Sequence, residues 1–148
     1  MLVGQYCATL TDKGRIPVPS KFRHELGEKV VVAKWYEGCL VVVSESEWTR
    51  ILDRLTGKTS TITQPVRDTD RFILGSAFEI SLDSLGRFVV PKVLKEFADL
   101  KQEVVFLGLG NRLEVWDKKL WEERETYIQK HAGEMLEKLA NEAGGERQ

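Results

Sequence analysis

The chain is expected to fold as a mixed α+β protein, mainly β, assembled from two copies of one strand-rich unit. The leading observation is an internal match at an offset of about 72 residues, where Leu10-Thr11-Asp12-Lys13-Gly14-Arg15-Ile16-Pro17-Val18-Pro19 lies over Leu82-Asp83-Ser84-Leu85-Gly86-Arg87-Phe88-Val89-Val90-Pro91. Leu, Gly, Arg, Val and Pro fall in register. Past one inserted residue, Leu40-Val41-Val42-Val43-Ser44 through Trp48 meets Leu113-Glu114-Val115-Trp116-Asp117 through Trp121, Trp on Trp. Self-similarity at a fixed offset marks repeated supersecondary units. In each copy, short apolar runs bounded by turn residues read as strands.

Each unit reads as strand, tight turn, strand, short helix, strand, turn, strand and a longer helix. In the first, residues 5–47, Tyr6 to Leu10 and Ile16 to Val18 flank the turn. Pro19-Ser20 opens a short helix that turns Phe22 and Leu26 inward and stops at Gly27. Val30 to Ala33 and Cys39 to Val43 follow as strands. Ser44 and Glu47 have the spacing of a capping box, ahead of a helix whose Trp48, Ile51, Leu52 and Leu55 share one face and which Gly57 ends. The second unit, residues 76–119, repeats the order: Ala77 to Leu82, Phe88 to Val90, a helix with Leu94 and Phe97 inward, Val104 to Leu107, Leu113 to Trp116, and a helix from Asp117.

Between them, residues 58–75 form a polar connector followed by a bridging helix from Pro65 to Leu74, with Val66, Phe72, Ile73 and Leu74 as its packing face. The C-terminal helix, residues 120–143, carries Tyr127, Ile128, Met135, Leu136 and Leu139 before Gly144-Gly145, which is expected to stop it and leave a frayed tail. That apolar stripe suits either its own domain or a neighbouring subunit.

Length and composition narrow the function. At 148 residues the two units are each small enough to be marginal alone, so a shared core is expected. With 42% apolar residues, 30% charged residues and a net charge of −1, the chain has no global basic signal. Locally it does. From Lys13 to Arg23 the charged residues are Lys13, Arg15, Lys21 and Arg23, and from Leu85 to Lys95 they are Arg87, Lys92 and Lys95, with no acid in either stretch. A local field of this kind is hidden by the overall balance. Cys7 and Cys39 are 32 positions apart in no CxxC pair and are expected to be buried thiols. No leader precedes the first strand and the longest apolar runs are too short to span a bilayer, so a cytoplasmic protein without membrane association is expected.

Catalysis is not expected. His24 and His131 are the only imidazoles and stand in no metal-ligand spacing, while Gly108-Leu109-Gly110 continues as Asn111-Arg112-Leu113 and breaks the dinucleotide fingerprint. Glu122 and Glu123 fall on a charged helix face. No cofactor, metal or small-molecule substrate is indicated. The recurring chemistry is instead Gly14-Arg15 and Gly86-Arg87, where Gly supplies the positive φ of a tight hairpin and Arg projects from its end. Turn geometry explains the Gly but not the Arg. Two accounts of the Arg are open: a bidentate pair with a carboxylate across the turn, or contact with a ligand. Asp83 stands four residues before Arg87 and suits the first account; the same position in the first turn is Thr11, with Asp12 displaced by one, which favours ligand contact for Arg15.

The duplicated Asp-x-x-x-Arg hairpin followed by Val-Pro, with the Trp-ended fourth strand and helix, resembles the MraZ family, made of two AbrB-like (SpoVT-AbrB) units. The resemblance runs from Tyr6 to about Glu125, with Thr11 in place of the motif Asp as its departure. It implies a pseudo-twofold β barrel in which the units swap hairpins, with flanking helices. It also implies a sequence-specific transcriptional regulator of the bacterial division and cell-wall gene cluster, binding direct repeats in promoter DNA as a homo-oligomeric ring, in the cytoplasm and on the nucleoid. Lys13, Arg15, Lys21, Arg23, Arg87 and Lys92 would be the DNA-binding residues, with Thr11, Asp12, Gly14, Asp83 and Gly86 forming the turns. One hairpin offers few phosphate contacts, and repetition around a ring would raise effective concentration. The alternative is an AbrB-like protein-interaction module of antitoxin type, although such proteins usually carry one unit and a disordered partner-binding tail, whereas here the duplicated unit fills the chain and the tail is short.

Overall fold

The computed structural model describes residues 1–55 and 63–146 and divides into two compact units, Met1–Lys118 and Lys119–Gln148. Among the described residues, the first holds eight strands and four α-helices: β1 (Leu2–Thr9), β2 (Arg15–Pro17), α1 (Ser20–Leu26), β3 (Lys29–Lys34), β4 (Leu40–Ser44), α2 (Glu45–Leu55), α3 (Gln64–Ile73), β5 (Phe78–Ser81), β6 (Arg87–Val89), α4 (Lys92–Phe97), β7 (Glu103–Gly110) and β8 (Leu113–Asp117). Helix α5 (Lys118–Glu146) makes up nearly all of the second. Each strand predicted from the sequence is present; Gly57 and the connector before Thr63 lie outside the described residues.

The strands pair antiparallel in a six-stranded sheet of order β1-β7-β8-β4-β3-β5 and a separate two-stranded ribbon, β2-β6. Most of these ladders join one repeat to the other: β1 runs along β7 from Leu2↔Gly110 to Thr9↔Glu103, β5 runs along β3, β4 meets β8, and β2 meets β6. Only β3-β4 and β7-β8 pair within a repeat. The sheet is open, with β1 and β5 at its edges, rather than closed as the expected barrel.

A single core draws on both repeats. Ile16, Val18, Phe22, Leu26, Val30, Val32, Leu40 and Val42 from the first meet Phe88, Val90, Leu94, Val104, Phe106, Leu113 and Val115 from the second. The unbroken apolar runs of β3 and β4 follow from coverage of both their faces, since Val30, Val31, Val32 and Ala33 and then Leu40 to Val43 are all buried and α2 packs against both strands. Ile51 is the residue of α2 that is fully buried; Trp48, Leu52 and Leu55 are half-buried, because the helix lies across the sheet with only part of its stripe in contact. Ser44 Oγ accepts from Glu47 N at 3.3 Å, while Glu47 Oε1 takes Arg50 Nη1 at 2.9 Å, so one half of the capping box forms.

Three further expectations are corrected. In α3, Ile73 alone is fully buried, and Phe72 and Leu74 are exposed because successive helical residues point to different sides. Cys7 is exposed, since along β1 it is Tyr6 and Ala8 that turn toward the core. Helix α5 passes through Gly144-Gly145 to Glu146; glycine weakens a helix by about 1 kcal/mol relative to alanine and does not by itself end one.

One contact of β1 and β7 leaves no latitude. A Cβ on Gly108 would lie 2.6 Å from Leu2 C and 2.8 Å from Val3 Cα, both backbone atoms of the strand that the first repeat lends to the second. Gly108→Ala should therefore push β1 away and lower stability by about 1–3 kcal/mol, the usual cost of overpacking a filled site. Chemical denaturation of the two proteins measures this; equal midpoints would mean that β1 shifts at no cost.

Candidate nucleic-acid interface

The two Gly-Arg turns share their backbone hydrogen bonds and differ in how the residue four before the Arg holds it. In the first, Gly14 N donates to Thr11 O at 2.9 Å, Thr11 N to Arg15 O at 2.9 Å, and Arg15 N to Thr11 Oγ1 at 3.0 Å. In the second, Gly86 N donates to Asp83 O at 2.9 Å and Asp83 N to Arg87 O at 2.8 Å. Asp83 Oδ1 accepts from Arg87 N at 2.8 Å and from Leu85 N at 2.9 Å, and Asp83 Oδ2 accepts from Arg87 Nε at 2.9 Å. Gly14 at φ 77° and Gly86 at φ 74° occupy the left-handed region that a side chain would strain.

The difference that bears on the arginine is one carboxylate oxygen. The Thr11 hydroxyl caps the Arg15 backbone as Asp83 caps Arg87, but it has no second oxygen for the guanidinium. The Arg87 backbone N–H, with its side chain and Leu85 N–H, holds the Asp83 carboxyl below the usual carboxylate range. No carboxylate among the described residues pairs with Arg15, which is exposed, whereas Arg87 is half-buried beside Asp83.

The turns meet through the β2-β6 ribbon, in which Arg15↔Val89, Ile16↔Phe88 and Pro17↔Arg87 are partners. Val18 N donates to Gly86 O at 3.0 Å and Val90 N to Gly14 O at 2.9 Å, so each strand is tied to the other repeat's turn. Ile16 and Phe88 are buried. Alternation along a strand then places Arg15, Pro17, Arg87 and Val89 together on the opposite, outward face. Arg15 and Arg87 are diagonal neighbours there, a relation that spans about 7–8 Å between backbones. Such a ribbon is of the width that the major groove of DNA admits.

The remaining basic residues are dispersed around it. Lys13 and Asp12 are exposed at the tip of the first turn. Lys21, on α1, donates from Nζ to Tyr6 Oη at 2.9 Å, and Lys92, at the start of α4, lies 3.9 Å from Glu96 Oε1. Arg23 is half-buried and donates from Nε to Val18 O at 2.8 Å, behind the second turn. The Tyr6–Lys21 and Arg23–Val18 bonds are not legible in the sequence. Fifteen positions separate the first pair, and no periodicity links the second to the Gly86 turn that it underlies.

Other chemistry has less to work with. Among the described residues no group of three or more His, Cys, Asp or Glu could hold a metal ion, and no helix is long and apolar enough to cross a membrane. Burial, reinforced by the Glu114 carboxylate, pushes the Cys39 thiol far above its ordinary range, so it stays protonated and unreactive.

Comparison with known proteins agrees with the duplication. The family model for the MraZ protein, whose description adds an antitoxin-like relationship, matches residues 1–72 and again 73–143. The transcriptional regulator MraZ of Caldanaerobacter subterraneus subsp. tengcongensis is 41% identical over 142 residues, covering 95% of this chain and 98% of that protein. The protein of the same name from Thermoanaerobacter sp. (strain X514) is 44% identical over 124 residues, 83% of this chain and 85% of that one. That of Oenococcus oeni is 37% identical over 141 residues, 95% and 98% of the two chains. With two consecutive family matches over nearly its whole length, the chain belongs to the MraZ family.

Proposed function

We propose that the chain is a sequence-specific transcriptional regulator that binds double-stranded promoter DNA through the outer face of the β2-β6 ribbon. The observation that carries this reading is the pair of arginines from the two repeats set side by side on one narrow ribbon, with Arg15 held by no carboxylate among the described residues. An unpaired guanidinium on a ribbon can reach base edges or phosphates, while Arg87 enters pre-oriented by Asp83. Lys13, Lys21 and Lys92 would add phosphate contacts from the turn tip and the two short helices. The relatives' name, transcriptional regulator, supports the class. The finer reading is a regulator of the division and cell-wall gene cluster, working in the cytoplasm on the nucleoid.

Residues 5–47 and 76–119 are the two SpoVT-AbrB-like units in this reading, and their exchanged strands correspond to the swapped hairpins of that fold. A single ribbon makes few contacts, and each neutralised phosphate contributes roughly 0.9 to the salt slope. Several copies at fixed spacing around a homo-oligomeric ring would bind direct repeats in the promoter through avidity. The exposed Leu136 and Leu139 of α5, 68% and 61% accessible, are where neighbouring subunits could meet. The antitoxin-like relationship in the family description favours a second reading, a protein-interaction module. A gel shift with the duplex just upstream of the chain's own gene, against scrambled DNA at several salt concentrations, separates the two, because the interaction module retards neither.

Arg15→Ala should leave the melting temperature unchanged and weaken DNA binding by more than the ~1–3 kcal/mol of one contact, since the loss recurs in every subunit. Arg87→Ala should reverse that balance, lowering the melting temperature more and the affinity less, because it empties the Asp83 pair. Thermal melts and binding isotherms on both variants decide it; the opposite ordering would assign recognition to the second turn. For assembly, the intact protein should elute well above its 16.9 kDa monomer mass. Truncation after Tyr127 should shrink the particle and weaken DNA binding together, and unchanged size and affinity would show that the helix plays no part in assembly.

A further inference from the structure

Arg23 stands in the basic stretch of the first repeat, yet its contacts set it apart from the other bases. From α1 it extends beneath the turn of the second repeat, where Nε donates to Val18 O at 2.8 Å. Its side chain fills the space on the inner side of Gly86 so closely that a Cβ there would overlap Arg23 Nε, Cζ and Cδ. Backbone closes the same circuit, for Val18 N donates to Gly86 O at 3.0 Å. Gly86 is buried in consequence, although it lies in a surface turn.

The corresponding corner of the other turn has no such support. Seventy-two positions after Arg23 stands Lys95, and among the described residues a Cβ on Gly14 would meet only Val89 Cγ1, at 3.8 Å. A planar guanidinium can lie flat under a glycine while an inner N–H bonds a carbonyl, and an ammonium cannot, because lysine has no N–H at that point of its stem.

We propose that Arg23 is a positioning residue that braces the second turn from behind and holds Arg87 in place, so that the Arg15 turn is the adaptable end of the ribbon. The brace follows from the contacts alone; its consequence for binding rests on the DNA reading above. The competing role is direct contact with phosphate, and two substitutions part the two. Arg23→Gln keeps an N–H donor at the same distance along the side chain and loses the charge, whereas Arg23→Lys keeps the charge and loses that donor.

The experiment measures amide hydrogen exchange and DNA binding on full-length wild type and both variants, using the duplex upstream of the chain's own gene at several salt concentrations. With Arg23→Lys, the Val18 and Arg87 amides should exchange roughly tenfold faster while the Val90 and Arg15 amides, their counterparts at the other corner, keep the wild-type rate. Affinity should fall by no more than it does for Arg87→Ala, with the salt slope unchanged. Arg23→Gln should stay near wild type in both measurements. The brace is overturned if Lys preserves affinity while Gln loses it with a slope smaller by about 0.9, the mark of one lost phosphate contact. It is equally overturned if neither variant changes the Val18 and Arg87 amides. Should the wild type itself fail to retard the duplex, the DNA reading fails, and the exchange pattern still decides the brace.

Discussion

The two hydrogen bonds that cross between the turns, Val18 N to Gly86 O and Val90 N to Gly14 O, tie each repeat to the other's Gly-Arg turn, and the remaining architecture is arranged around that exchange. Either repeat alone would leave its first strand and its β2 or β6 segment without partners, and about seventy residues bury too little surface to offset that loss. Pairing β1 with β7 and β5 with β3 supplies those partners and lets both repeats contribute to one core. The outward arginines are brought together by the same step. Neither the fold nor the candidate interface belongs to one repeat.

Duplication supplies the symmetry, and divergence decides how it is used. Replacement of the motif carboxylate by Thr11 keeps the backbone cap of the first turn and releases its arginine, while Asp83 retains both bonds in the second. Away from the ribbon the copies differ in polarity. Tyr6, Lys21 and Glu25 of the first repeat correspond, 72 positions on, to Phe78, Val93 and Phe97 of the second. Where the first has a lysine bonded to a tyrosine hydroxyl, the second presents Phe78 and Val93 at 40% and 48% exposure, and Phe97 stacks edge-on with Phe72 at 5.7 Å. The two sides of the molecule therefore offer different surfaces to whatever approaches them.

Net charge is a poor guide to this molecule's field. A sum of −1 hides bases gathered at the turns and at the start of each short helix, and acids concentrated toward the C-terminus. Within the ribbon's neighbourhood much of that basic charge is already engaged: Arg87 by Asp83, Lys92 by Glu96, Lys21 by a hydroxyl and Arg23 by a carbonyl. Arg15 and Lys13 are both exposed, and no carboxylate among the described residues pairs with Arg15.

From the sequence by itself came the duplication, the eight strands and the inward faces of the two short helices, because each is written in local spacing: short apolar runs between turn residues, a glycine at a turn; the spacing of Asp83 and Arg87 offered their pair but left it open beside ligand contact. The family was legible from the same motif read twice. Local spacing also misled where tertiary coverage decides burial, as at Cys7, at Phe72 and Leu74, and at Gly144-Gly145, through which the helix continues. What only the tertiary structure decided was which strand pairs with which. A strand's pattern specifies that one face must be covered and does not name the partner, so the exchange of β1 and β5 between repeats, the open sheet and the adjacency of Arg15 to Arg87 all came from packing. Arg23 shows the limit most plainly: nothing in its local spacing links it to Gly86, 63 positions away, against which its side chain packs.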